Sequence, residues 1–513
     1  MDKKYYLTTP IYYVNDRPHI GHAYTSIACD VLARFKRLDG YQVKFLTGTD
    51  EHGQKVEKSA DAAGMSAAEF TSRLSQNFRD LTGDLALSND DFIRTTEPRH
   101  IRAAQALWQR LLERGEIYLG SYSGWYSVRD ESFYAESELR PDGKAPTGAS
   151  VEWLEEPSYF FRLSNWQDRL LEFYETNPDF IAPRSARNEV LSWVKSGLTD
   201  LSVSRTSFTW GIAVPNDPAH IVYVWFDALI NYITACGFPD EQARDWSFWP
   251  ADLHMVGKDI VRFHAVIWPA MLLAAGLPTP KRVFAHGWWT NEGEKISKST
   301  GNVIDPLAEV KVYGLDSFRY FLLREVSFGN DADYSRTQIE IRVNSDLANG
   351  IGNLAQRVLA MIQKNSAAKV PECGELQAAD HELLAAAGGL VAELRPLMDE
   401  QAFQRALEQI WLVVTAANRF VDDMAPWALR KTDPTRMGTV LFVLAEVLRL
   451  LGIVLQPFVP GAAGRLLDQL RVDASRRDFT SASLNHRLQA GTDLPPPVGL
   501  FPRIEPRPET PTG

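Results

Sequence analysis

The sequence predicts an α/β protein: a Rossmann-like, doubly wound parallel sheet interrupted by an insertion and followed by an all-α helix bundle. Three observations carry this. Strand and helix patterns alternate over residues 1–116, and a texture rich in Trp, Tyr, Ser and Gly then breaks the alternation up to residue 221. Beyond residue 340 the apolar positions keep a helical period.

Residues 4–9 read as a buried strand that Pro10 ends, and Ala23, Ile27, Val31, Leu32 and Phe35 then recur at helical spacing. A second strand follows at 42–47, with helical stretches at 67–81 and 102–114, completing a first half-sheet within 1–116. Residues 117–221 are read as an inserted segment with short strands near 120–126 and 158–163. Residues 222–290 resume the alternation as the second half of the sheet domain, and 291–340 form a connector. In 341–513, Phe403, Leu407, Ile410, Trp411, Val414 and Val421 mark a helical domain. The Pro-rich stretches 495–497 and 506–511 are expected to be poorly ordered.

With 513 residues and 45% hydrophobic content, the chain can bury several cores. Three separated cysteines give no disulfide framework, which suits a reducing cytoplasm, and no apolar signal region opens the chain. The most apolar stretch, 440–455, contains Glu446 and Arg449 and reads as a bundle helix rather than a membrane span. A net charge of −11 argues against non-specific nucleic-acid binding, so a nucleic-acid partner would need local basic patches.

Two motifs carry the chemistry. His19-Ile20-Gly21-His22 lies where the first strand gives way to a helix, so both histidines sit at a helix N-terminus, where unsatisfied N–H groups and the helix dipole favour phosphate. A His-x-Gly-His tetrapeptide arises by chance in roughly 1% of chains of this length, taking His at about 2% and Gly at about 7%. Far downstream, Lys295-Ile296-Ser297-Lys298-Ser299 brings two ammonium groups on a Gly/Ser-rich loop, able to neutralise a leaving pyrophosphate. Solvated surface lysines are common; the conjunction and order of the two motifs give the weight. Gly350-Ile351-Gly352 mimics a dinucleotide fingerprint but lies inside a helical pattern, and no Walker A motif occurs.

The paired motifs resemble those of the class I aminoacyl-tRNA synthetases. The rest of the chain is similar to their methionyl branch from end to end, through Thr47-Gly48-Thr49-Asp50-Glu51-His52-Gly53, Tyr223-Val224-Trp225-Phe226-Asp227-Ala228, Gly257-Lys258-Asp259-Ile260 and Ala425-Pro426-Trp427. The resemblance implies a methionine–tRNA ligase with partners methionine, ATP and tRNA(Met). His19, His22, Lys295 and Lys298 would be catalytic, and Gly21, Gly257, Asp259, Trp289, Ser297 and Ser299 would join them around ATP. Mg²⁺ would bridge the phosphates without a dedicated protein cage. For Asp259, a helix N-cap role is an equally weighted alternative to the ribose.

Asp50 would take the substrate ammonium. Ile11, Tyr13, Trp225, Leu229, Tyr232, Ile260, Phe263, His264 and Trp268 would line a thioether pocket, although each aromatic alone is more often core than ligand. Leu229 departs from the proline found in some members. The inserted segment would be the family's connective peptide and the helical domain its anticodon reader. Trp427 would stack a base, and Asn349, Asn353 and Arg357 would share one helix face; without the resemblance that stripe reads as ordinary solvated surface. No metal site is expected: between His100 and His220 there is neither Cys nor His, so the zinc knuckle of many relatives has no ligands here, and an aromatic cluster is expected to hold the segment. Lacking the appended dimerising domain of some relatives, the chain is expected to be a monomer. The alternatives are a class I synthetase for another amino acid, or a small-molecule nucleotidylyltransferase.

Overall fold

The computed structural model describes residues 3–14, 17–130, 132–134, 136–296 and 302–505. They divide into two compact units. One joins Lys4–Cys29 to Val43–His286; the other joins Asp30–Gln42 to residues 287–505.

The sheet unit is built from β1 (Lys4–Thr8), β2 (Tyr12–Tyr13), α1 (Ile20–Leu38, its first half), β3 (Gln42–Asp50), β4 (Asp91–Arg94), α2 (Pro98–Glu113), β5 (Ile181–Ala182), β6 (Leu253–Gly257) and β7 (Val283–His286). The strand order is β2–β3–β1–β6–β7–β5, with β4 also paired to β3. The pairings of β1 with β6, β6 with β7, β7 with β5, and β3 with β2 and β4 are all parallel. From β1 the chain winds outward through β3 and β4, then returns to β6 on the other side, where Leu7 faces Leu253 and Thr8 faces His254. That reversal is where an open α/β sheet leaves a crevice at its strand C-termini. β5 comes from inside the 117–221 stretch; a two-residue strand carries no periodicity by which a sequence reading could find it.

Helical spacing buries one face of α2, whereas α1 is buried all round from Ala23 to Ala33. Ile20, Ala23 and Ile27 of α1 and Ala103, Ala104, Leu107, Trp108 and Leu111 of α2 are fully buried, each large side chain contributing about 1.5–3 kcal/mol. The inserted segment contains a four-stranded antiparallel sheet in which Ile117–Ser127 pairs along its length with Glu152–Phe161. Trp125 and Trp153 are cross-strand partners, with rings edge-on at 5.4 Å. At the hairpin end, Asp130 accepts from the hydroxyls of Thr147 and Tyr134 and from Arg129. Among the described residues, no group of three or more His, Cys, Asp or Glu side chains is placed to hold a metal.

In the helical unit, Phe403–Met424 buries Phe403, Leu407, Ile410, Val414 and Val421 as the spacing predicts, and half-buried Trp411 packs on Tyr320 at 4.7 Å. Pro434–Leu455 is long and apolar enough to cross a membrane, with a mean hydropathy of 2.2, but 94% of that window is buried in the bundle. The expectation of disorder at 495–497 is corrected, whereas 506–511 lie outside the described residues. The stretch around it is tied down where Gln469 accepts from the Val498 N–H, Arg465 donates to the Leu500 carbonyl, and Asn344 accepts from the Ile504 N–H.

One buried cation organises this unit. Arg319, fully buried, donates to Asp30 at 2.6 Å and to the carbonyls of Phe458 and Pro457 at 3.1 and 2.9 Å, while Arg34 also donates to Asp30. Removing Arg319 takes from a buried carboxylate the guanidinium that meets it at 2.6 Å. Arg319→Ala should therefore destabilise the helical unit by about 3–5 kcal/mol. The double variant with Asp30→Ala should lose less than the two single changes added together, and chemical denaturation of all three proteins checks both statements.

Candidate active site

His19 precedes α1, and its carbonyl accepts from the N–H groups of His22 and Ala23, so His19 occupies the cap and His22 the first turn. The His19 N–H donates to Nδ1 of His22, and the Gly21 N–H donates to Nδ1 of His19, both at 3.1 Å. A neutral ring that accepts at Nδ1 carries its proton on Nε2, and an Nε2–H is the donor form that suits phosphate oxygens. The rings lie 3.9 Å apart, and His22 is wedged edge-on against Tyr12 and Phe78. A Cβ on Gly21 would stand 2.9 Å from Cε1 of His19, so a larger residue would displace that ring.

Across the strand reversal, Gly257 ends β6, and a Cβ on it would lie 2.5 Å from the Asp259 carboxylate. Gly257, not Asp259, caps the turn that follows, which weakens the N-cap alternative for Asp259. From the end of β7, His286 meets Thr25 of α1 at 2.7 Å. The sequence reading missed His286; its signal is a histidine before glycine at a strand's C-terminus.

At the end of β3 two neighbouring acids have different fates. Glu51 is fully buried, forks onto Arg94 at 2.7 and 2.9 Å, and accepts from Thr49 and Thr96. It is neutralised where it stands. Asp50 is 7% exposed and pairs in register with Tyr13. His52 donates to Asp227 at 2.6 Å and His100 does the same from α2, so Asp227, which burial alone would raise, is held below the usual carboxylate range by these two rings.

The residues expected around a thioether divide into two layers. Leu229, Tyr232, His264 and Trp268 are buried, while Ile11, Tyr13, Trp225, Ile260 and Phe263 are half-buried and pack against the same core. Trp225 and Phe263 stack at 3.8 Å with nearly parallel planes. Phe263 and His264 lie on a π-helical turn, Phe263–Ile267, an irregularity common at functional sites. His264 Nδ1–H donates to the Ile260 carbonyl at 3.0 Å, which leaves Nε2 to accept from the Tyr232 hydroxyl at 2.7 Å. Behind it, the Trp268 N–H donates to Nε2 of His254, and His254 Nδ1 meets the Thr8 hydroxyl at 2.9 Å. Burial lowers both histidines, His264 to about 4, so this wall is neutral at physiological pH. The sequence reading also missed His254 and the buried cation Arg205, which lies over the Tyr223 ring.

In the helical unit, Trp289 is buried in a strand paired with Ala332–Tyr334, and the carbonyl of Trp288 accepts from Ala332. Glu294–Lys295 pairs back on Trp289–Asn291; the Lys295 side chain and Ser297, Lys298 and Ser299 lie outside the described residues. Val343–Gly352 is π-helical and Asn353–Asn365 is α-helical, so Asn349 does not hold the simple α-helical phase with Asn353 and Arg357. Asn349 accepts from Arg503 at 2.8 Å. Arg357 pairs with Asp422 and lies 5.7 Å over the half-exposed Trp427 ring, which follows Ala425 in a left-handed turn.

The His264 network has a pH signature. Its pKa is depressed in the folded state, so the unfolded chain binds the extra proton between about 6.5 and about 4; stability is full above that window and is lost as pH falls through it. His264→Phe should flatten part of that slope, and the wild-type ring should titrate near 4 by NMR. A ring titrating near 6.5 would contradict the network.

Residues 5–150 and 141–359 match the family model of tRNA synthetases class I (M), and 370–509 match the anticodon binding domain of methionyl tRNA ligase. The methionine–tRNA ligase of Rickettsia felis is 55% identical over 98% of this chain and 99% of its own length, and that of Rhizobium meliloti is 57% identical over 97% and 98%. The Mycobacterium tuberculosis methionyl-tRNA synthetase in complex with methionyl-adenylate superposes with a TM-score of 0.95 at 52% identity, covering 98% of this chain and 100% of that one. Its apo form gives 0.90 at 49% identity, covering 99% of each chain. The two alternative enzyme classes find no support in these matches. The chain belongs to the methionyl-tRNA synthetases of class I.

Proposed function

We propose that the chain activates methionine with ATP to methionyl-adenylate and pyrophosphate, then transfers the methionyl group to the 3′ end of tRNA(Met). The observation that carries this is a neutral, aromatic wall of buried and half-buried side chains in the same unit as a histidine-capped helix N-terminus. In the first step a carboxylate oxygen of methionine bonds to the α-phosphorus, the bond to the bridging oxygen breaks, and pyrophosphate departs with the electron pair. Catalysis is then positioning and charge stabilisation.

Asp50 takes the ammonium, since Glu51 is committed to Arg94. His19 and His22 donate to phosphate oxygens, with Gly21 admitting the nucleotide, and Gly257 and Asp259 take the ribose. Lys295 and Lys298 neutralise the leaving pyrophosphate, and Ser297 and Ser299 belong to the same loop; this assignment rests on the motif. Trp289 contributes backbone to the adenine. Mg²⁺ enters as the ATP complex, held chiefly by phosphate oxygens. Trp427 and Arg357, with Asn353 and Asn349, read the anticodon. The inserted segment holds without zinc through its strand pairing and tryptophan pair. The enzyme works as a monomer in a reducing cytoplasm, a setting its three free cysteines suit.

Pyrophosphate exchange with ATP should require methionine, and Lys298→Ala should slow it by about 10²–10³ while sparing methionine binding. Exchange with no amino acid would sink the activity, and a change confined to the methionine KM would sink the lysine's role. Trp427→Ala should leave exchange intact and weaken tRNA charging about 10- to 100-fold, the worth of one stacking platform. Unchanged charging kinetics would remove Trp427 from the anticodon site.

A further inference from the structure

Inside the helical unit lies a cleft of about 240 Å³ that none of the assigned functions uses. Arg449, Arg471, Arg476, Arg487 and His486 line it, with Asp473 as the acidic group among them. In a chain of net charge −11 this is a local reversal of sign. How each charge is compensated decides what the cleft can hold.

Arg449 is neutral in effect, because it forks onto Glu446 at 3.0 Å and its remaining N–H groups go to the carbonyls of Ser481 and Ser483. It is part of the frame. Arg476 donates to the His486 carbonyl at 2.9 Å, and Arg487 to the Leu484 carbonyl at 3.1 Å. A carbonyl orients a guanidinium without cancelling its charge. Arg471 extends from a left-handed residue, φ 55°, immediately after the helix Pro460–Gln469. Among the described residues, none of these three arginines forms an ion pair, whereas neighbouring Arg477 is paired with Asp468. Asp473 is itself engaged by the N–H and hydroxyl of Ser475. Asp473 also feels the charge of Arg476 and Arg477, so three guanidiniums, two of them oriented in advance, share one carboxylate and the cleft keeps an excess of positive charge. Planar forks of this kind match tetrahedral oxyanions.

We propose that this cleft is a phosphate-binding site, and that the backbone of the bound tRNA supplies the phosphate. The tRNA source rests on the tRNA-charging function above; the phosphate chemistry does not. Arg449 stands fifteen residues into the helix Pro434–Leu455, about 22 Å along the bundle from the end that follows Trp427. A duplex stem leading away from a base stacked on Trp427 would have phosphates at that range.

The test uses the full-length protein and Arg471→Ala/Arg476→Ala, both exposed positions outside the core. Two arms separate the sources. In the first, tRNA(Met) affinity is measured against KCl concentration; the double variant should bind about 10-fold more weakly, with a log–log salt slope shallower by about 1–2. Arg471→Lys/Arg476→Lys should recover most of the slope. In the second, inorganic phosphate is titrated calorimetrically; a wild-type isotherm that the double variant lacks, with unchanged tRNA slopes, would assign the site to free phosphate. No phosphate isotherm together with identical slopes overturns the site. Methionine-dependent pyrophosphate exchange should be equal in all variants, and its absence in the wild type would strike the activity while leaving the phosphate titration standing.

Discussion

Everything chemical in the sheet unit depends on the parallel pairing of β1 with β6. Leu7 opposes Leu253 and Thr8 opposes His254 across 246 positions of sequence, so a large loop-closure cost is met by a strand pair. The pairing fixes where the winding reverses. It brings the N-terminus of α1, the Gly257 turn and the end of β7 to one edge, each with groups that suit an anion or a sugar. A one-residue slip would turn Thr8 and His254 to opposite faces and break the hydrogen bond that backs the pocket wall.

The wall at this edge is polar in composition and neutral in charge. Tyr232, His264, His254, Trp268 and Thr8 form a chain of polar groups, each with a partner, in a region with almost no solvent exposure. Burial removes the histidines' charge, and the hydrogen bonds remove the penalty for burying their nitrogens. The result is firm and uncharged. It offers no counter-charge to an acidic or basic group.

The strongly periodic parts were legible in the sequence. Ala23 and Ile27 of α1 and the Phe403–Val421 stripe are buried as their spacing demands. The helix cap at His19 was legible too, because a strand end, Pro10 and an apolar helical repeat bracket it. Three kinds of feature escaped. A two-residue strand such as Ile181–Ala182 has no period. Buried polar partners such as His254, Arg205 and His286 look like any other residue until long-range pairing names their neighbours. The π-helical turns at Phe263–Ile267 and Val343–Gly352 shift the phase of side chains by an amount that a 3.6-residue count cannot anticipate, and so Asn349 faces Arg503. The proline-rich stretch failed for a related reason: its composition suggests disorder, but side chains far away in sequence pin its backbone.

The central claim is that the strand reversal between β1 and β6 holds methionine and ATP together. A crystal structure with methionine and a non-hydrolysable ATP analogue tests it most directly. The methionine ammonium should lie within hydrogen-bonding distance of Asp50, its sulfur against Tyr232 and His264, and the phosphates at His19 and His22. Density for methionine anywhere else, or phosphates away from the start of α1, would contradict the account.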